Sequence, residues 1–278
     1  MMPSVVRDKT TGVIYRRWEC PFPEAVFLLV HGLGAHSGRW DLFASYFLQQ
    51  SISSYAIDLR GFGETPQPKG YMESFNLVFK DIQDLKSIIQ RETGGKPVFI
   101  IGESMGGLIS YLFIRRQPRG FRGLVCLSPV FRSRLKFGWR QYLRVIQGSF
   151  WDVQRPLQTP LTHQMCTRDS TSIREMENDP LEHRFAAPRL LLSIALAGLR
   201  ARVCPAALKI PVLFLVSGSD VIVDPAATRK VFELSRSGDK EFISYPEMYH
   251  ALSVELGREQ VFQDILRWTR ARIRGVKR

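Results

Sequence analysis

Ser104, Asp220 and His250 lie far apart in the chain, yet their types and surroundings suit acyl transfer. Ser104 is the centre of Gly102-Glu103-Ser104-Met105-Gly106. A G-x-S-x-G pentapeptide marks a nucleophile elbow when a strand precedes it and a helix follows, because the serine hydroxyl then stands exposed on a tight turn. The serine takes strained backbone angles there, so the positions two before and two after must be small. A lone match is weak, but here the context is present. A short β-branched and aromatic run, 97–101, precedes the motif, and an apolar run, 108–114, follows it and continues to Pro118.

A serine hydroxyl is a poor nucleophile at neutral pH and needs a base, normally a histidine oriented by a carboxylate. Among hydrolases that use such an elbow, the chain order is serine, acid, histidine. His31 and His36 precede the serine, and His163 and His183 fall in a region read below as an insertion. His250 follows the strand-like run 241–245 and precedes a helix-like one. A loop at the carboxyl end of a parallel strand is where an α/β sheet places its chemistry, so His250 is the candidate base. The run 212–216 leads into Ser217-Gly218-Ser219-Asp220, which makes Asp220 the candidate acid. Asp224 is the alternative, although its place before Pro225 also suits a helix N-cap. The oxyanion of acyl transfer needs preorganised N–H donors. One is the backbone N–H of Met105. The second is the N–H of Leu33 in His31-Gly32-Leu33-Gly34, where the His31 side chain reads as structural.

These residues require a scaffold of alternating strands and helices. Strand-like runs at 25–30, 53–58, 98–101, 124–127, 212–216 and 241–245 are separated by helix-like ones at 40–50, 73–91, 225–236 and 259–274. In the 73–91 run, Leu77, Ile82, Leu85, Ile88 and Ile89 recur at near-helical spacing, and Gly94-Gly95 ends it. The expectation is an α/β fold whose mostly parallel sheet is flanked by helices on both faces. The pair 12–17 and 25–30 suggests antiparallel strands at an edge. Alternation breaks between Ser128-Pro129 and Ile210-Pro211. A structureless loop of about 80 residues would be implausible, so this stretch should be a mostly helical cap over the site. The expected division is 1–128 with 206–278 as core, and 129–205 as cap.

The chain of 278 residues is 45% hydrophobic, enough for one large core, and no run of 18 apolar residues suggests a membrane span. Residues 1–9 lack the apolar block of a secretory signal. Cys20, Cys126, Cys166 and Cys204 are widely spaced without a C-x-x-C pair, as expected of buried free thiols in a cytoplasmic protein. Net charge is +13; between Arg115 and Arg155 there are ten Lys or Arg and a single acid, Asp152. Such patches attract anionic lipid surfaces or nucleic acid, but no nucleic-acid motif accompanies the charge. In the cap, Phe131, Phe137, Trp139, Tyr142, Phe150 and Trp151 alternate with Arg132, Arg134, Lys136, Arg140 and Arg144. The pattern suits peripheral docking on an anionic membrane. It equally suits aromatics that line an acyl tunnel while the arginines are solvated.

Several longer strings resemble the monoacylglycerol lipase and lysophospholipase group of the α/β-hydrolase superfamily. They are His31-Gly32-Leu33-Gly34-Ala35-His36-Ser37-Gly38-Arg39-Trp40, Asp58-Leu59-Arg60-Gly61-Phe62-Gly63, Gly102 to Gly107, Asn178-Asp179-Pro180-Leu181 and Tyr245 to His250. The resemblance runs from about residue 25 to the C-terminus in the group's order. It implies an α/β-hydrolase fold and a Ser104–Asp220–His250 triad with oxyanion donors at Leu33 and Met105. It also implies hydrolysis of single-acyl-chain lipid esters without metal or cofactor, and a substrate-binding role for His36 and Arg39. Two positions depart from the group: Glu103 stands where its monoacylglycerol lipases usually carry histidine, and Ala35 where the animal enzymes carry glutamate. The alternatives are a lysophospholipase, a short- or medium-chain esterase, a thioesterase or a serine peptidase. From another class, a non-catalytic lipid or membrane adaptor on the same fold would not need the full constellation.

Overall fold

The computed structural model describes residues 4–136, 138–151, 154–204 and 207–274. Phe137 and Asp152 of the basic aromatic stretch lie outside the described residues, as do the side chains of Tyr142, Phe150 and Trp151. In chain order the core begins with β1 (Ser4–Arg7), β2 (Ile14–Trp18), β3 (Ala25–Val30), a 3₁₀ turn (Ser37–Trp40), α1 (Asp41–Leu48) and β4 (Ile52–Ile57). It continues through α2 (Phe75–Glu92), β5 (Val98–Glu103), α3 (Met105–Arg116) and β6 (Gly123–Leu127). The stretch that follows holds α4 (Trp139–Trp151), β7 (Leu157–Gln158), α5 (His163–Cys166), α6 (Ser170–Asn178), β8 (Phe185–Ala186) and α7 (Pro188–Val203). The core resumes with β9 (Val212–Ser217), α8 (Pro225–Leu234), β10 (Lys240–Tyr245) and α9 (Arg258–Arg274).

Among the described residues eight strands form one sheet in the order β1-β2-β4-β3-β5-β6-β9-β10. From β4 to β10 every pairing is parallel; β1 and β2 add the antiparallel edge. This corrects one expectation. The partner of 12–17 at the edge is Ser4–Arg7, whereas Ala25–Val30 lies inside the sheet between β4 and β5, its residues fully buried. A strand apolar at successive positions is covered on both faces, which requires a central place.

The central strands feed both layers. In β5, Val98 and Ile100 pack with α2 and α3, while Phe99 and Ile101 face the layer of Phe43, Phe47, Phe262 and Trp268 from α1 and α9. The helix α2 stops where Gly94 and Gly95 take positive φ (65° and 80°) and the Gly95 N–H turns back to the Gln90 carbonyl at 2.9 Å. Register aligns the carboxyl ends of the parallel strands: Val30 sits beside Gly102, Glu103 beside Leu127, and Ser217 beside Tyr245. Every loop expected to hold chemistry therefore leaves the same edge.

Among the described residues between β6 and β9, four helices and the two-residue β7–β8 pair cover that edge, and α7 packs against both α4 and α3. Gly198 lets α7 approach the chain just after β6: a Cβ there would strike the Phe131 carbonyl. Phe131 itself is core, 1% exposed against Tyr111, whereas Trp139 on α4 is 68% exposed. The aromatics of this stretch thus divide between packing and surface. No helix among the described residues is long and apolar enough to cross a membrane. All four cysteines are free; Cys126 and Cys166 are buried, Cys20 and Cys204 half-buried.

Candidate active site

At the end of β5 the chain reverses over one residue. Ser104 takes φ 56° and ψ −116°, and α3 begins at the next residue. A side chain on Gly102 would strike the Gly106 carbonyl, and one on Gly106 would strike the Val30 carbonyl, so both glycines are obligatory. The strained serine is held on both sides: its N–H donates to the Leu127 carbonyl at 2.9 Å, and its carbonyl accepts from Val130 at 3.1 Å. Ser104 stays half-exposed while its neighbours on either side are buried.

His250 lies beyond β10 and is buried, and its Nδ1–H donates to Asp220 Oδ2 at 2.7 Å. The other carboxylate oxygen of Asp220 accepts from the N–H groups of Ile222 and Val223 at 2.8 and 2.9 Å, which fixes its plane. Burial disfavours the imidazolium, but the charge and hydrogen bond of Asp220 outweigh it, and the His250 pKa rises above its usual 6.5. Asp224, the alternative acid, instead caps α8 through Ala226 N–H at 3.1 Å and pairs with Arg134 at 3.2 Å.

The loop after β3 approaches the elbow closely. A Cβ on Gly32 would stand 3.2 Å from that of Ser104, and Leu33 and Met105 line the same cavity as Ser104 and His250. His31 is structural: its Nδ1–H donates to the Gly32 carbonyl at 2.8 Å and its Nε2 accepts from Leu59 N–H at 3.0 Å. Burial pushes its pKa down to about 4, so it remains the neutral tautomer those bonds require. Asp58 ties down the same loop by accepting from Ser37 N–H at 2.7 Å and from Glu64 N–H at 3.0 Å.

His36 and Arg39, expected at the substrate, are both engaged by acids 143 residues away. His36 accepts from Gly38 N–H through Nδ1 at 3.1 Å and donates through Nε2 to Asp179 at 2.7 Å. Arg39 grips Glu182 with Nε at 2.8 Å and with Nη2 on both oxygens. Arg39 lines the cavity; His36 is not among the lining residues. The ligand atoms of His36, Asp179 and Glu182 fall within 4.8 Å of one another, but both Glu182 oxygens are already engaged by Arg39 and Asp179 by His36.

Two buried carboxylates that sequence reasoning gave no role hold the His250 loop. Glu103 accepts from Ser253 N–H at 3.0 Å and from its hydroxyl at 2.8 Å. Burial pushes the Glu103 carboxyl up, while the Ser253 bonds, His250 and Arg39 oppose the rise. Glu255 accepts from Tyr249 N–H at 3.2 Å and from Arg168 Nε at 3.1 Å. The signals available in the sequence were an acid beside the elbow serine and one five residues past His250.

The site opens into a cavity of about 420 Å³. Its walls are mostly aliphatic, with Leu135, Ile146, Leu161, Leu191 and Ile194 contributed by the stretch between β6 and β9. Glu103 is the carboxylate among the described lining residues, and its oxygens are held by Ser253. Ile146 lines the cavity and is also 54% exposed, so the cavity reaches the surface beside α4.

The chain matches the family model described as "Serine aminopeptidase, S33" over residues 21–257. It is 27% identical over 278 residues to the human monoglyceride lipase, covering 98% of this chain and 91% of that one. It is 28% identical over 255 residues to the phospholipase YtpA of Bacillus subtilis, covering 88% of this chain and 95% of that one. The crystal structure of the Paleococcus ferrophilus monoacylglycerol lipase superposes with a TM-score of 0.83 at 25% identity, over 94% of this chain and 99% of that one. The chain therefore belongs to the serine aminopeptidase S33 family and is a serine hydrolase of the α/β-hydrolase fold, similar to monoglyceride lipases.

Proposed function

We propose that the chain hydrolyses monoacylglycerol-type or other single-acyl-chain lipid esters through an acyl-enzyme. The observation that carries this reading is a strained Ser104 sharing a largely aliphatic cavity with a His250–Asp220 pair. Ser104 attacks the ester carbonyl, His250 takes its proton and returns it to the leaving alcohol, and Asp220 orients the imidazole and stabilises its charged form. The N–H groups of Leu33 and Met105 bind the oxyanion. Water, deprotonated by His250, then releases the fatty acid. The acyl chain lies along the aliphatic cap wall, in a volume typical of small-molecule sites.

An amine-directed peptidase is disfavoured, because the cavity carboxylate Glu103 is engaged by Ser253 and Glu182 is engaged by Arg39. A lysophospholipase is the second reading, favoured by the exposed Arg140 and Arg144 on α4, the helix beside the mouth, and by the likeness to the Bacillus phospholipase. The test is turnover of p-nitrophenyl esters of increasing chain length, set against Ser104→Ala. We expect activity to peak at medium or long chains and to fall roughly 10⁴-fold or more in the variant. A short-chain peak would make the protein a general esterase, and no serine-dependent turnover would leave the adaptor reading.

A further inference from the structure

A second cleft, of about 340 Å³, lies where α2 and α3 of the core meet α7 of the cap. Leu191, Ile194 and Ala195 of α7 line the catalytic cavity, whereas Leu196, Ala197 and Arg200 line the cleft. At 3.6 residues per turn these two sets fall on opposite sides of the helix. The cleft is therefore separate from the catalytic cavity, with α7 as the wall between them.

Its floor is apolar: Phe75 and Phe79 of α2, Leu112 of α3, and Leu196, which is 57% exposed. Its rim has three guanidinium groups, Arg115 and Arg116 on α3 and Arg200 on α7. No carboxylate is among the described lining residues, and none of the three arginines forms an ion pair with a described residue. Arg116 is already positioned, with Nη1 donating to Asn76 Oδ1 at 2.7 Å and its guanidinium 5.2 Å above the Phe79 ring. Arg115 rests 5.9 Å from the Tyr111 ring centroid. Adjacent like charges repel one another, and the exposed Leu196 with the half-buried Phe75 and Leu112 is costly to hydrate. A ligand with one anionic head and one apolar chain relieves both.

We propose that this cleft binds a single-chain anionic amphiphile, its carboxylate or phosphate between Arg115, Arg116 and Arg200 and its chain along Phe75, Phe79 and Leu196. Guanidinium forks recognise such heads in pairs of charge-assisted hydrogen bonds. A bound amphiphile would bridge the cap helix α7 to the core helices α2 and α3. The proposal does not depend on the chemistry assigned to Ser104.

Equilibrium dialysis of the full chain against decanoate and against decyl phosphate would count bound molecules per chain. We expect Arg116→Gln/Arg200→Gln to lose one bound molecule per chain, or to hold it roughly tenfold more weakly for each guanidinium removed. Ala197→Trp, which fills the cleft, should lose the same molecule while the arginines remain. Both variants should keep the parent's melting temperature and short-ester turnover, which separates this site from the catalytic one. An unchanged count and affinity in both variants would overturn the proposal. So would inorganic phosphate displacing decyl phosphate at equal concentration, since a free-anion site has no use for the apolar floor. If the chain proves not to be an esterase, the turnover control fails but the count still decides.

Discussion

At His250 two opposing influences meet on one ring. Burial alone would lower its proton affinity, yet Asp220 at 2.7 Å reverses the direction and the nearby Glu103 adds to the reversal. A base works only when neutral, so a raised pKa places the acid limb of kcat/KM above pH 6.5, with activity lost as pH falls through it. Glu103→Gln keeps an oxygen to accept from Ser253 but removes the negative charge. We expect the limb to move to lower pH and kcat to fall by a few fold, roughly the loss of one hydrogen bond. The pH profile of a water-soluble ester reads both, and an unmoved limb would show that Glu103 only holds the loop. Asp220→Asn should cost far more, on the order of 10³–10⁴ in kcat, because the imidazole would present the wrong tautomer. The elbow and the candidate base could be picked out because each is announced locally, by a pentapeptide or by a loop directly after a strand. Glu103 was not, since its partner Ser253 is 150 residues away and nothing near either residue announces the pair.

At the level of elements, the loop after β3 and the segment between α6 and β8 are tied together. The Arg39–Glu182 and His36–Asp179 pairs join the 3₁₀ turn after β3 to the segment between α6 and β8, and Gly34 accepts from His183 N–H at 3.1 Å. Arg39→Ala would leave Glu182, with its side chain 5% exposed, as an uncompensated buried charge. We expect a loss of about 3 kcal/mol in urea-induced unfolding, and a far smaller one from breaking the exposed Lys80–Asp84 pair. The central strands were readable as continuous apolar runs, and α2 by its period and its closing glycines. The β7–β8 pair was not, because Leu157 meets Ala186 only once the cap has folded. Nor did the residues around α7 show a clear stripe, since the helix has one face on the catalytic cavity and another on the second cleft.

For the whole molecule, the charge of +13 is distributed unevenly and the cap presents apolar groups beside it. Trp139, Leu143 and Ile146 on α4 are 68%, 47% and 54% exposed, and Arg140 and Arg144 stand among them. We propose peripheral contact of this face with anionic bilayers, which would set the cavity mouth beside Ile146 against the lipid. Flotation with vesicles containing anionic lipid should recover the protein at low salt and lose it as salt rises. Trp139→Ala should weaken the retention that remains, and binding indifferent to both salt and Trp139 would remove the proposal. In the sequence this surface shows only as composition, and Phe131, which is core, looks the same as Trp139, which is not, because burial depends on the packing of α7 against α3.

Cys166 lines the catalytic cavity, and its carbonyl accepts from Ala251 N–H at 2.8 Å, one residue past His250. Burial pushes its thiol up to about 12, and its Sγ donates to the Thr162 carbonyl at 3.5 Å. The cavity thus holds a sulfur that stays protonated beside an oxygen that can be activated. Electrophilic inhibitors should sort accordingly: organophosphates and carbamates should silence the protein, while iodoacetamide, which needs a thiolate, should leave its turnover intact.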